Sequence, residues 1–316
     1  MGFFKSAKKM SGWLAFHVQT GGISAAAVRR PPGALPVVEA VAYSATGQAG
    51  QGAALERIGK DLHAGRYKCS NLLAANEYQL LSVDAPNVPP DELKTAMRWR
   101  LKDMLDYRVD DATVDVFGIP GDRRGSARTA QMYAVAARNQ LIQQRQALFE
   151  TARVPLQAID IPEMGQRNIA ALMETEGRGV AMLSFGDDGG LLTISFSGEL
   201  YLSRRIDVAA DQLDHPDENV RQSASDRITL ELQRSLDHFD RQYHFITLSR
   251  LVLAPLVSGQ SALQEYLGAN LQLPVESLQL DTILDLAAAP ALKSSAEQQR
   301  HLLAIGAALR TEEKAL

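Results

Sequence analysis

Hydrophobic and polar positions repeat with two different periods along the chain, and the changes of period outline its elements. Residues 13–18 (Trp-Leu-Ala-Phe-His-Val), 23–30 and 37–45 are β-prone runs broken by Gln19-Thr20-Gly21-Gly22 and Pro31-Pro32-Gly33, which predicts three strands in succession. Leu55, Ile58 and Leu62 recur at helical spacing within 53–64, and a strand is expected at 67–74. Next come a strand at 77–83, a helix carrying Leu93, Met97, Leu101 and Met104, strands at 112–119 and 129–137, and a helix at 140–152. Pro89, Pro90 and Asp91 suit the start of the first of those helices. After a strand at 156–161 and a helix at 162–175, glycine turns separate strands at 180–185, 191–197 and 200–208. The remainder alternates: helix 219–244, strand 249–253, helix 261–271, strand 275–280, helix 297–310.

The two halves share an order, three hairpin-linked strands and then helices alternating with strands. Antiparallel strands feeding parallel ones through crossover helices resemble the duplicated ribonuclease-H-like half of actin, Hsp70 and sugar kinases. The predicted class is therefore α/β, an actin-like fold with an inserted small α+β subdomain. Residues 1–76 and 153–176 would form lobe 1A, 77–152 the insertion (1C), and 177–316 the second lobe (2A and 2B).

Composition narrows the function. At 316 residues with 46% hydrophobic and 22% charged, the chain can bury a sizeable core. Its 33 basic and 37 acidic residues leave a net charge of −4, opposite in sign to a general nucleic-acid binder. One cysteine, Cys69, allows no internal disulfide and no cysteine zinc site; its apolar setting reads as a buried inert thiol. No run reaches the roughly 18–20 apolar residues that span a bilayer. The first ten residues lack the pattern of a signal peptide, so a cytoplasmic protein is expected. Phe3 and Phe4 beside Lys5, Lys8 and Lys9 are a membrane-proximal candidate, each basic residue near an anionic surface being worth about 1 kcal/mol. The plain alternative is a frayed basic tail.

Three stretches carry a family resemblance. Asp91-Glu92-Leu93-Lys94-Thr95-Ala96-Met97-Arg98-Trp99-Arg100, followed by the acidic approach Val109-Asp110-Asp111-Ala112-Thr113-Val114-Asp115-Val116, resembles the inserted subdomain of PilM-type pilus-assembly proteins. The similarity is greatest to the branch that serves mannose-sensitive haemagglutinin (MSHA) pili. Leu302-Leu303-Ala304-Ile305-Gly306-Ala307-Ala308-Leu309-Arg310 resembles the family's last helix, and 263–274 the helix and turn before its last strand. The resemblance implies an actin-like cytoplasmic protein, attached to the inner membrane through the short N-terminal tail of a bitopic PilN-like partner. That tail would lie in a groove between 1A and 1C. Contact with the pilus motor ATPase and self-association stay open.

The resemblance also frames a nucleotide site, and the residues depart from it in three places. An actin-type ATPase needs a carboxylate at the end of its first strand for Mg²⁺ and a turn that cradles phosphates. Where the family has Asp-Ile-Gly, then Ser or Thr and a Lys, this chain has His17-Val18-Gln19-Thr20-Gly21-Gly22-Ile23-Ser24. In the second loop, Ser184 replaces the strand carboxylate, although Gly186, Gly189, Gly190 and Thr193 remain; Asp187 and Asp188 sit in the turn rather than on the strand. In the adenosine motif, Leu253-Ala254-Pro255-Leu256 stands where paired glycines are usual, with Gly259 beyond. Phosphoryl transfer depends on positioning and charge stabilisation, so these losses predict a degenerate cleft formed by Thr20, Gly21, Gly22, Gly186, Asp187, Gly189, Thr193 and Gly306. No catalytic residue, metal site or required cofactor is expected, and ATP with Mg²⁺ is the ligand to test. The competing reading is an active ATPase or small-molecule kinase in which Asp187 or Asp188 compensates.

Two other clusters have two readings each. Asp237, His238, Asp240 and His244 share one predicted helix with Arg234 and Arg241, which favours surface ion pairs over a metal site. Arg98, Trp99 and Arg100, with Lys102 and Arg108, are either a solvated helix face or a docking edge for a partner, Trp and Arg being common interface anchors.

Overall fold

The computed structural model describes residues 12–47, 50–89, 92–121, 131–186, 188–258 and 260–311. The sequence readings on Phe3, Phe4, Lys5, Lys8, Lys9, Asp91, Asp187 and Gly259 lie outside them.

The first sheet is built from β1 (Trp13–Gln19), β2 (Gly22–Arg29), β3 (Val37–Ala45), β4 (Lys68–Leu72) and, much later in the chain, β8 (Leu156–Asp160), with α1 (Gly50–Asp61) linking β3 to β4. Between β4 and β8 stand β5 (Tyr78–Asp84), α2 (Leu93–Leu101), β6 (Ala112–Ile119), β7 (Gln131–Arg138) and α3 (Asn139–Thr151). Helix α4 (Pro162–Ala171) then leads to β9 (Arg178–Gly186), β10 (Gly189–Phe196), β11 (Glu199–Ile206), α5 (Glu218–Gln242), β12 (Thr247–Leu253), α6 (Gln260–Asn270), β13 (Val275–Ser277), α7 (Leu280–Ile283) and α8 (Ser295–Ala308).

The sheet orders establish the duplication. The first sheet runs β3-β2-β1-β4-β8 and the second β11-β10-β9-β12-β13, each with antiparallel hairpins on one side and parallel strands on the other. A separate three-stranded sheet, β5-β7-β6, is the inserted module.

Strand β2 (Gly-Ile-Ser-Ala-Ala-Ala-Val-Arg) is buried on both faces, the pattern of a strand covered by helices on each side. One face of the first sheet places Leu14 and Phe16 against α1 and α3, where the Phe16 and Phe149 rings meet edge to face at 5.4 Å. The other face, with Ala15, Ala26 and Val28, receives α8, which crosses α4 where that helix lies on β9, β10 and β11 of the second sheet. The small side chains of β2 let α8 lie close, so the last helix of the chain packs on the first sheet. Cys69 is fully buried in the α1 face, and burial pushes its thiol up to about 12. No helix among the described residues is long and apolar enough to cross a membrane.

Candidate functional site

The β1–β2 and β9–β10 turns, equivalent by the duplication, face each other across a cleft of about 880 Å³. Its lining includes His17, Gln19, Thr20, Ser184, Gly186, Asp188 and Gly189, so Thr20, Gly186 and Gly189 stand where the sequence reading expects the cleft. Gly21, Gly22, Thr193 and Gly306 lie outside that lining, each for an identifiable reason. Gly21 takes φ +85° to make the turn. A Cβ on Gly22 would come 2.4 Å from the Tyr43 hydroxyl oxygen, so this glycine makes room for an aromatic ring. The Arg300 guanidinium covers that ring at 4.6 Å. Gln19 donates through Nε2 to the Arg300 carbonyl at 2.9 Å and lies 3.3 Å from His17 Nδ1.

The second turn is committed more deeply. Ser184, at the position expected to carry a carboxylate, is buried and donates to Gln166 Oε1 at 2.6 Å. The Gln166 amide nitrogen meets the Met182 carbonyl at 2.6 Å, the Leu191 carbonyl at 3.1 Å and Thr193 Oγ1 at 2.9 Å. Thr193 is thus a fully buried partner of a helix side chain. Asp188 accepts from the Ala75 backbone N–H at 3.1 Å, a bond between the two sides of the cleft. Gly306 is buried at the crossing of α8 with α4.

Three arginines line the cleft, and each already holds a carboxylate. Arg145 pairs with Glu77, whose other oxygen accepts from the Ala74 N–H at 2.9 Å. Arg300 pairs with Glu297 on the same helix. Arg205 reaches Glu163 at 3.0 Å and the Tyr78 hydroxyl at 2.7 Å, and that hydroxyl donates to Glu163 at 2.5 Å. Burial, and then the Glu163 carboxylate, hold the Tyr78 phenol well above its ordinary pKa, so it stays a donor. A phosphate entering this cleft would compete with carboxylates for every one of these guanidinium groups.

A second concavity lies elsewhere. The outer edge of β8, helix α3 and one face of the inserted sheet enclose a groove of about 300 Å³. Leu73, Val135, Ile142, Leu156, Ile159 and Ile161 line it, with Thr113, Gln146 and Asp115 among its polar residues. Asp115 is the charged residue of that lining, and Lys94 bridges it at 3.1 Å. Sequence reasoning missed these side chains individually. The available signal was the alternation of Val135 and Ala137 on β7, which points both residues to one face.

Arg98, Trp99 and Arg100 do not line this groove. Helix α2 covers the opposite face of the inserted sheet through Met97 and Leu101. Arg98 is structural: it donates to the Val109 and Ala112 carbonyls at 2.7 and 2.9 Å. Trp99 is 73% exposed, with the Lys102 ammonium 6.0 Å above its ring. On α5, His244 falls beyond the helix end, and no group of three potential ligands among the described residues could hold a metal ion.

No protein-family model matches the chain, and no curated protein does. Solved structures do. A chain of a PilM–PilN type IV pilus biogenesis complex superimposes with a TM-score of 0.72 at 18% identity, covering 95% of this chain and 98% of the other. A Bacteroides thetaiotaomicron protein of actin-like ATPase fold and unknown function aligns at a TM-score of 0.50 and 10% identity, covering 92% and 99%. With the duplicated sheets and the cleft between their turns, these likenesses make the fold of this chain actin-like.

Proposed function

We propose that this protein is a non-catalytic scaffold of type IV pilus biogenesis, of the MSHA kind, that captures the cytoplasmic N-terminal tail of a PilN-like inner-membrane protein. The observation that carries the reading is the apolar groove between β8, α3 and the inserted sheet. An extended peptide can lay aliphatic side chains into it beside the free edge of a strand. The fold shared with a chain of a PilM–PilN complex supports the same assignment. The protein would then sit in the cytoplasm, held at the inner membrane by its partner, with no cofactor required.

The cleft is read as a relict. Ser184 replaces the metal-positioning carboxylate and is bound to Gln166, and the lining arginines are neutralised within the protein. Calorimetric titration with the synthetic partner tail, and separately with Mg-ATP, tests both parts. Tail binding without ATP binding is expected. Micromolar ATP binding with turnover that falls on substitution of Asp187 or Asp188 would establish an ATPase or kinase instead.

A further inference from the structure

Tyr78 belongs to two places at once. Its ring packs with Leu73, Ala137 and Ile161 in the small core that floors the apolar groove, and Leu73, Ala137 and Ile161 also line that groove. Its hydroxyl leaves this core and joins Glu163 on α4 and Arg205 on β11. Glu163 is 2% exposed, and Tyr78 and Arg205 supply its hydrogen bonds in place of water. The three residues come from the inserted module, the connecting helix and the second lobe.

Two further bonds tie the same module to the second lobe. The Tyr133 hydroxyl donates to the Tyr201 carbonyl at 3.1 Å, and Gln242 Nε2 donates to Gln131 Oε1 at 2.5 Å. Both Tyr133 and Gln131 lie on β7, the strand whose Val135 and Ala137 line the groove. Arg205 borders the large cleft on one side and a cavity of about 450 Å³ on the other, the latter also lined by Tyr133, Tyr201, His238 and Tyr243.

We infer that the Tyr78–Glu163–Arg205 triad is a latch that couples the groove floor to the second lobe, so that a change at either end is felt at the other. Its use in signalling rests on the tail-docking reading above. In that reading a docked tail would pack against Leu73, Ala137 and Ile161, and Tyr78 would carry the resulting shift to β11. Such coupling is reciprocal: whatever holds Arg205 in place also favours the tail.

Hydrogen exchange on the full chain tests the latch without any ligand. Tyr78→Phe keeps the ring and removes the hydroxyl. Exchange at 199–206 and at the groove strand 131–138 is expected to rise together, at least threefold, with α1 unchanged. Arg205→Lys keeps the charge but cannot span both partners, and should do the same. Unchanged exchange at 199–206 in both variants overturns the latch. A second arm adds the synthetic tail of the PilN-like partner. Wild-type protein should show slower exchange at 199–206 on tail binding, and Tyr78→Phe should bind the tail without that response. If no tail binds wild type while the ligand-free effect is present, the docking reading fails and the latch stands. If the tail protects 199–206 equally in wild type and Tyr78→Phe, the latch does not carry the signal.

Discussion

Gly306 and Gly165 meet backbone to backbone: a Cβ on Gly306 would lie 2.2 Å from the Gly165 carbonyl oxygen and 3.0 Å from its Cα. Helices α4 and α8 cross at this point, and Asn168 Nδ2 donates to the Gly306 carbonyl at 2.9 Å beside it. The crossing sets the position of Gln299, Arg300 and Leu303, all on α8 and all in the cleft lining.

Gly306→Ala should therefore destabilise the protein by overpacking, at about 1–3 kcal/mol. For a chain of 316 residues the corresponding fall in melting temperature is roughly 2–5 °C, readable by circular dichroism. Backbone atoms are the obstacle, so no side-chain rotation relieves the clash. A variant that melts with wild type would show that the helices are not in contact here.

His301 gives stability a pH dependence. It is 1% exposed on α8, and burial pushes its pKa below the ordinary value. Glu297, 3.3 Å away, and the Ala25 backbone oppose that shift, whereas nearby Arg300 adds to it. The unfolded imidazole takes its proton near about 6.5, and the folded one only at lower pH. Below about 6.5 the unfolded state binds more protons, so stability falls as pH drops, by up to about 1.4 kcal/mol per unit, until the folded residue also protonates. Urea unfolding at several pH values between 7.5 and 5.5 should show a shallower decline for His301→Gln than for wild type. Equal declines would remove His301 as the cause.

The order of elements was legible because their periods differ and their turns carry Gly and Pro. Strands 112–119 and 37–45 are found with their expected bounds. The strand expected over 275–280 stops at Ser277, where the chain turns into the short α7. Contacts far apart in sequence were less legible. A glycine signals close approach without saying to what: Gly306 reads as a nucleotide glycine and serves a helix crossing. Gln166 is an unremarkable polar residue in a helix sequence, and only the fold brings it to Ser184 and Thr193. The groove is assembled from Leu73 and from parts of 113–115, 135–146 and 156–161, which no local pattern unites.

Substitutions at that groove separate the two candidate docking surfaces. Ile142→Asp puts a charge among Leu73, Val135 and Ile159, and tail affinity should fall at least tenfold, since burying an unpaired carboxylate is costly. Trp99→Ala should leave the affinity within about twofold and the melting temperature nearly unchanged, because the ring is mostly in solvent. Calorimetry on both variants checks the pair of outcomes. A large loss in Trp99→Ala with none in Ile142→Asp would move the tail to the α2 face.

Introducing a carboxylate at position 184 should not create a nucleotide site. Ser184 donates to Gln166 Oε1, so the aspartate of Ser184→Asp would face another acceptor across a bond now 2.6 Å long. Rotating the Gln166 amide would relieve that contact but set its oxygen against the Met182 and Leu191 carbonyls, where its nitrogen now donates. Either arrangement leaves buried polar groups unpaired, at about 1–3 kcal/mol. Ser184→Asp is thus expected to lower stability and to release no phosphate from Mg-ATP above the background of the wild-type protein. Pairing it with Gln166→Leu, which removes the competing amide, should recover part of the stability while still giving no turnover, because β1 brings His17 and no carboxylate to the cleft. Phosphate release in Ser184→Asp alone would mean that one lost carboxylate was all that silenced the cleft.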